Sequence, residues 1–149
     1  MSKFERYYNF MDSYTEFYRE VQNVEYEKLD ALLSNDLTRI QKNMQNYETY
    51  IKKAQQFEND RIELCKELGF ENMAYSEVLR HFQGMEKLKL SRQKNSLEAI
   101  LKTVQYLNKK SLEYADMQMS FAEGDAATYN AKGKADSRLG GSGILNKQV

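Results

Sequence analysis

The sequence predicts an all-α protein: an elongated antiparallel helical bundle of three long helices plus one short helix, with a flexible C-terminal tail. Three observations carry this expectation. Residues 1–123 contain no proline and only two glycines, Gly69 and Gly84, whereas the other five of the seven glycines (Gly124, Gly133, Gly140, Gly141 and Gly143) lie beyond that point. Apolar residues recur at alternating spacings of three and four along the segments between these breaks. Turn and capping residues stand at Ser34-Asn35-Asp36, at Gly69 and around Ser76 to Gly84. The expected helices are 2–33, 36–68, 76–82 and 85–121, packed as one bundle over 1–123, with 124–149 as the tail.

The first helix is rich in aromatic residues. Phe4, Tyr7, Tyr8, Met11, Tyr14 and Tyr18 trace one face, and Phe10, Phe17, Val24 and Ala31 recur at every seventh residue on its shoulder. At ~100° per residue these cover about half the circumference, more than one buried stripe needs. Two readings stay open at this point. One is a Tyr-rich core whose hydroxyls reach water at the rim; the other is an interface seam of Phe10, Phe17 and Val24 for a partner or a homodimer.

Ser34-Asn35-Asp36 supplies a stop and a start, because short polar side chains cap the next helix and tolerate turn conformations. The second helix then places Leu37, Ile40, Met44, Tyr47, Ile51, Ala54, Glu58, Arg61, Cys65 and Leu68 on a heptad seam, with a polar notch at Glu58 and Arg61. Phe57, Ile62 and Leu64 widen the apolar face beside the notch, as a multi-helix bundle requires. At ~1.5 Å per residue the resulting hairpin is a rod roughly 45 to 50 Å long. Gly69 is a natural C-cap, and Ser76 is the expected N-cap of the short helix.

The last helix repeats a core stripe at Leu90, Leu97, Ile100, Val104, Leu107, Tyr114 and Phe121, with Gln93, Ser111 and Gln118 as polar entries. A second stripe, Leu101, Leu112, Ala115 and Met119, lies beside it and is interrupted by Asn108. Either this helix sits centrally and touches two neighbours, or the part after Asn108 is a groove for a partner.

Composition limits the function. The 22 basic and 22 acidic side chains cancel and alternate along the helices, so no broad field exists to draw in nucleic acid or anionic lipid. No run of ~18 apolar residues occurs and charges stand within the first turns, which argues against membrane insertion and a secretory signal. The single cysteine, Cys65, lies on an apolar stripe and reads as a packing residue in a reducing compartment; a cytoplasmic location is expected. His81 is the one histidine and reads as a surface residue, which removes paired-histidine metal sites and proton shuttles. Phosphate loops, nucleophile elbows and Cys-x-x-Cys pairs are absent, and carboxylates such as Glu25 with Glu27 or Asp60 with Glu63 read as surface charge. The expectation is a protein that is not an enzyme and takes no cofactor or metal.

The last helix carries Leu107-Asn108 followed by Ser111-Leu112-Glu113-Tyr114, and after it comes Thr128-Tyr129-Asn130-Ala131-Lys132-Gly133. With the hairpin turn at Leu32 to Leu37, Leu68-Gly69 and the short helix, this order resembles the FlgN family of flagellar export chaperones. That family commonly writes the tail segment Thr-Tyr-Asp-x-x-Gly. Here Asn130 replaces the Asp, and Ser111 stands where a second Asn often follows Asn108. The overall pattern covers nearly the whole chain, but its sequence-specific part is only about a dozen residues.

The resemblance implies a cytosolic type III export chaperone that binds hook-filament junction proteins, keeps their terminal helices from associating and brings them to the flagellar export gate. It implies a client-binding surface of Asn108, Leu112, Tyr114, Ala115, Met117, Met119 and Phe121, and an export-gate contact at Tyr129 and Gly133. Two other classes fit the same heptads: a helical-hairpin regulator of a secretion ATPase, and a self-associating structural coiled-coil protein.

Overall fold

Ser2 starts the first helix through a reciprocal cap. Its hydroxyl accepts the Glu5 N–H at 3.1 Å, and the Glu5 carboxylate accepts the Ser2 N–H at 3.4 Å. The computed structural model describes residues 1–121; the expected tail at 124–149 lies outside them. Helix α1 spans Lys3–Ser34 and α2 spans Leu37–Leu68. A short α3, Tyr75–Val78, runs into a 3-10 turn at Leu79–His81, and α4 spans Gly84–Phe121. Among the described residues there is no strand, so the all-α expectation holds.

The hairpin turn works as its residues suggest. Asn35 closes α1 in the left-handed region at φ 54°, which a short amide side chain tolerates. The Asp36 carboxylate then accepts the N–H groups of Thr38 at 3.0 Å and Arg39 at 3.3 Å, capping α2. At the far end Gly69 takes φ 81°, and Phe70 N–H reaches back to the Cys65 carbonyl at 2.7 Å.

The short helix departs from expectation. Its N-cap is Ala74, which has no capping side chain, and Ser76 lies inside the helix and exposed. Tyr75 fixes this start instead. It is buried, its ring meets Tyr7 edge-on at 5.3 Å, and its hydroxyl donates to Gln93 at 2.5 Å. Tertiary anchoring here overrides the capping signal. Gly84, at φ 62°, then turns the chain into α4 one residue before the expected start.

Side-chain pairs give the topology. Arg6 meets Glu67 at one end of the hairpin, and Arg39 meets Glu27 and Asp30 at the other, so α1 and α2 are antiparallel. The Gln93 amide donates to the Tyr8 carbonyl at 3.0 Å, and Lys28 donates to Asn108 at 2.7 Å, so α4 runs parallel to α1. The three long helices therefore go up, down and up. Helix α1 packs most closely on α4 and next on α2.

The aromatic question of α1 resolves toward core. Phe17 and Val24 are buried, and Phe10 is partly buried beside the same cluster. Phe17 stacks on Phe57 of α2 at 4.7 Å, and Phe10 leans on Phe57 at 6.3 Å. The expected interface seam of Phe10, Phe17 and Val24 is thus corrected: it packs inside the monomer, where the shoulder of α1 meets α2. Tyr7, Met11, Tyr14, Tyr18 and Val21 form the adjoining, fully buried stripe.

The seam of α2 holds only in part. Tyr47, Ala54, Cys65 and Leu68 are buried as expected, and the notch is an ion pair in which Arg61 donates to both Glu58 oxygens at 2.7 and 3.1 Å. Burial works against the Arg61 charge, but the hydrogen bonds and charge of Glu58 outweigh it and hold the guanidinium above its ordinary range. Near the turn the seam fails. Leu37 and Met44 face solvent, and Asn43 takes the interior position.

Candidate functional site

The end of the bundle at the hairpin turn differs in kind from the aromatic end. Its interior is a polar cluster rather than an apolar plug. Glu25 and Lys28 of α1, Tyr47 of α2, and Asn108 and Ser111 of α4 are all buried there. Lys28 pairs with Glu25 at 2.9 Å and donates to the Tyr47 hydroxyl at 3.2 Å and to Asn108 at 2.7 Å. Tyr47 in turn donates to Glu25. An ammonium has three donors, and three acceptors surround this one.

This cluster corrects the reading of Glu25 as surface charge. Its signal was present in the spacing, since Tyr7, Met11, Tyr14, Tyr18, Val21, Glu25 and Lys28 run at alternating steps of four and three. The two charges therefore sit on the buried seam itself. Sequence reasoning also missed Tyr47 and Asn43 as members of a polar layer, reading the one as apolar seam and passing over the other.

Above the cluster the bundle opens. The pairing of Lys28 with Asn108 carries the end of α1 at Ser34 to the level of Tyr114, so about two turns of α4 continue past the hairpin. Leu112, Tyr114, Ala115 and Met119 are half-buried there, and Met117 is 49% exposed. At the turn Leu33 is 53% and Leu37 66% exposed, and Met44, about two turns further along α2, is 39% exposed. Among the described residues, apolar side chains of all three long helices are thus exposed or half-buried near this end.

The expected client residues fall into two groups. Asn108 is interior and engaged by Lys28, which assigns it to the bundle's own structure rather than to an open surface. Leu112 and Tyr114 lie at the level of the end of α1 and Ala115, Met117 and Met119 beyond it, with Leu112, Ala115 and Met119 on one face of α4 and Tyr114 and Met117 on the other. The side chain of Phe121, and Tyr129 and Gly133, lie outside the described positions.

Elsewhere the structure offers little chemistry. His81 is exposed beside the Phe70 ring at 5.2 Å. Cys65 is buried, and burial raises its thiol above its ordinary pKa more than nearby Arg61 lowers it. Among the described residues no group of three or more His, Cys, Asp or Glu side chains could hold a metal ion. No described helix is long and apolar enough to cross a membrane. Comparison of the chain with family models, with characterised proteins and with solved structures found no match.

Proposed function

We propose that this protein is a cytoplasmic chaperone of flagellar type III export, which shields an amphipathic terminal helix of a hook-filament junction protein and carries it to the export gate. One observation supports this most directly: Leu112, Ala115 and Met119 share one half-buried face at the end of α4, while Leu33, Leu37 and Met44 are exposed at and beyond the hairpin turn. An amphipathic helix buries its apolar face best against a groove of adaptable apolar side chains, and methionine adapts well. The resemblance of Asn108, Ser111 to Tyr114 and Thr128 to Gly133 to the FlgN pattern supplies the identity of the client. In this reading Tyr129 and Gly133 serve the gate, and the protein performs no catalysis and needs no cofactor.

The test is co-expression of the full chain with each junction protein of its own genome, followed by complex mass from size-exclusion chromatography with light scattering. A defined complex supports the reading. A folded chain that binds none of them overturns it.

A second reading has one observation in its favour. Leu33 and Leu37 are exposed at the hairpin turn itself, where a helical-hairpin regulator of a secretion ATPase would make contact. Substitutions at the turn separate the two, because the chaperone reading places most of the binding surface on α4.

A further inference from the structure

We propose that the groove between α1 and α2 at the aromatic end of the bundle is a docking site for a second copy of this chain, which enters it with the opening turns of α4 from Met85 to Arg92. The groove, about 470 Å³ in volume, is lined by Arg6, Asn9 and Phe10 of α1 and by Asp60, Glu63 and Leu64 of α2. Its apolar part is small: Phe10 and Leu64 are half-buried against the core. Its rim is acidic. Arg6 is already paired with Glu67, whereas Asp60 accepts from the neutral Gln56 amide at 2.8 Å, and neither Asp60 nor Glu63 has a cationic partner among the described residues.

What fits such a groove is a helix face that carries apolar side chains together with unpaired cations. The chain has one. The balance of charge over the whole molecule hides a local separation, since residues 85–110 carry seven basic and two acidic side chains while residues 56–71 carry five acidic and two basic. Met85 is 65% and Leu88 41% exposed, and Lys89 and Arg92 are exposed and without a carboxylate partner among the described residues. Spacings of three, four and seven put these four on one face of α4, turned away from the buried Leu90, Gln93 and Leu97. The registers also agree. Asp60 and Glu63 are three residues apart on α2, as Lys89 and Arg92 are on α4, about 4.5 Å of rise in each case. Two cations can therefore meet two carboxylates at once, with Met85 and Leu88 over Phe10 and Leu64.

One copy cannot serve itself. Gln93 donates to the Tyr8 carbonyl at 3.0 Å, which fixes the buried face of α4 on α1 and leaves Met85 to Arg92 facing outward, and α4 forms no wall of the groove. The pairing is thus between unlike surfaces of two copies. Both surfaces lie at the end of the bundle away from Phe121, and neither includes a residue assigned to the client. The inference therefore stands apart from the chaperone reading.

Sedimentation velocity of the full chain from about 5 to 500 µM tests it. With a Kd on the order of 10 to 100 µM, the mean mass should rise across this range at ~0.05 M salt and fall back at ~0.5 M, because exposed charges are screened. Arg92→Glu alone and Glu63→Arg alone should each weaken association at least about tenfold by facing like charges. Both changes in one chain should restore it to within about threefold of the parent. Both positions are exposed, so thermal melts should match the parent's. A chain that stays monomeric throughout overturns the proposal and leaves the groove to the basic residues of 122–149 or to a basic helix of a partner. Association that ignores the charge reversals, or that the double change fails to restore, overturns it as well.

Discussion

Lys28 and Asn108, eighty positions apart in the chain, meet at 2.7 Å inside the bundle and join the first long helix to the last. The contact is the third bond of an ammonium that also holds Glu25 and Tyr47 and lies over the Tyr47 ring at 4.5 Å. A buried ion pair gains little over apolar packing, because desolvation consumes most of the attraction. Its effect here is to fix register: only one sliding position of α4 on α1 brings Asn108 to Lys28. Tyr75 and Gln93 do the same near the other end, where Gln93 also reaches the Tyr8 carbonyl.

Removing one charge should therefore cost more than removing both. Lys28→Met leaves Glu25 buried without its cation and should destabilise the chain by about 3 to 5 kcal/mol. Glu25→Leu with Lys28→Met should regain most of that loss, since the replacements are close in volume. Urea denaturation of the parent, both single variants and the double variant measures the coupling. Simple additivity would show that the pair does not act as a unit.

How far the sequence revealed this fold can be judged at two neighbouring residues. Spacing placed Met44 on the seam of α2, and the structure instead buries Asn43. The helix was read correctly, as were its ends at Asp36 and Gly69, because caps and periodicity are local properties of the backbone. Which residue turns inward near the hairpin was not legible, since the polar layer of Glu25, Lys28 and Tyr47 is made by three residues of two helices. Periodicity also cannot say where cover ends, so Leu37 was placed on the seam although it is 66% exposed. The stripe of Leu112, Ala115 and Met119 was legible as excess apolar face, and the position of Ala115 and Met119 beyond the end of α1 emerged only from the pairing of Lys28 with Asn108.

Phe17 and Phe10 should separate in cost. Phe17 is 4% exposed and stacks on both Phe57 and Tyr50, so Phe17→Ala should cost about 3 to 5 kcal/mol. Phe10 is only partly buried at the rim of the same cluster, and Phe10→Ala should cost clearly less. Thermal melts check the order. Equal, small losses at both positions would return the seam to the role of an interface.

Alkali should unfold this protein more readily than its neutral charge balance suggests. Burial raises the Tyr7, Tyr14 and Tyr75 hydroxyls above their ordinary value, with nearby charges as smaller contributors. A raised pKa in the fold means that the folded chain keeps these protons while the unfolded chain releases them. Their stabilising contribution is full below about pH 10 and falls as pH rises past it toward the folded values. Each such group then costs about 1.4 kcal/mol per pH unit. Stability from urea melts should be lost steeply above about pH 10, and tyrosinate absorbance should show a fraction that titrates only on unfolding. A smooth titration of all tyrosines with the fold intact would contradict the burial.

The two ends of the exposed apolar surface make the sharpest functional contrast. Met117 and Leu37 both lie largely in solvent, so Met117→Asp and Leu37→Asp should each change stability by less than about 0.5 kcal/mol. Their effects on a partner should differ. If the client helix lies along the overhang of α4, Met117→Asp should weaken the complex with a junction protein at least about tenfold, because an unpaired carboxylate would be buried against an apolar face. Leu37→Asp should then weaken it less, since Leu37 lies at the hairpin turn. Titration calorimetry with the full chain and a purified junction protein measures both. The reverse order would move the binding surface to the turn and favour the ATPase-regulator reading, whose contact is the hairpin itself.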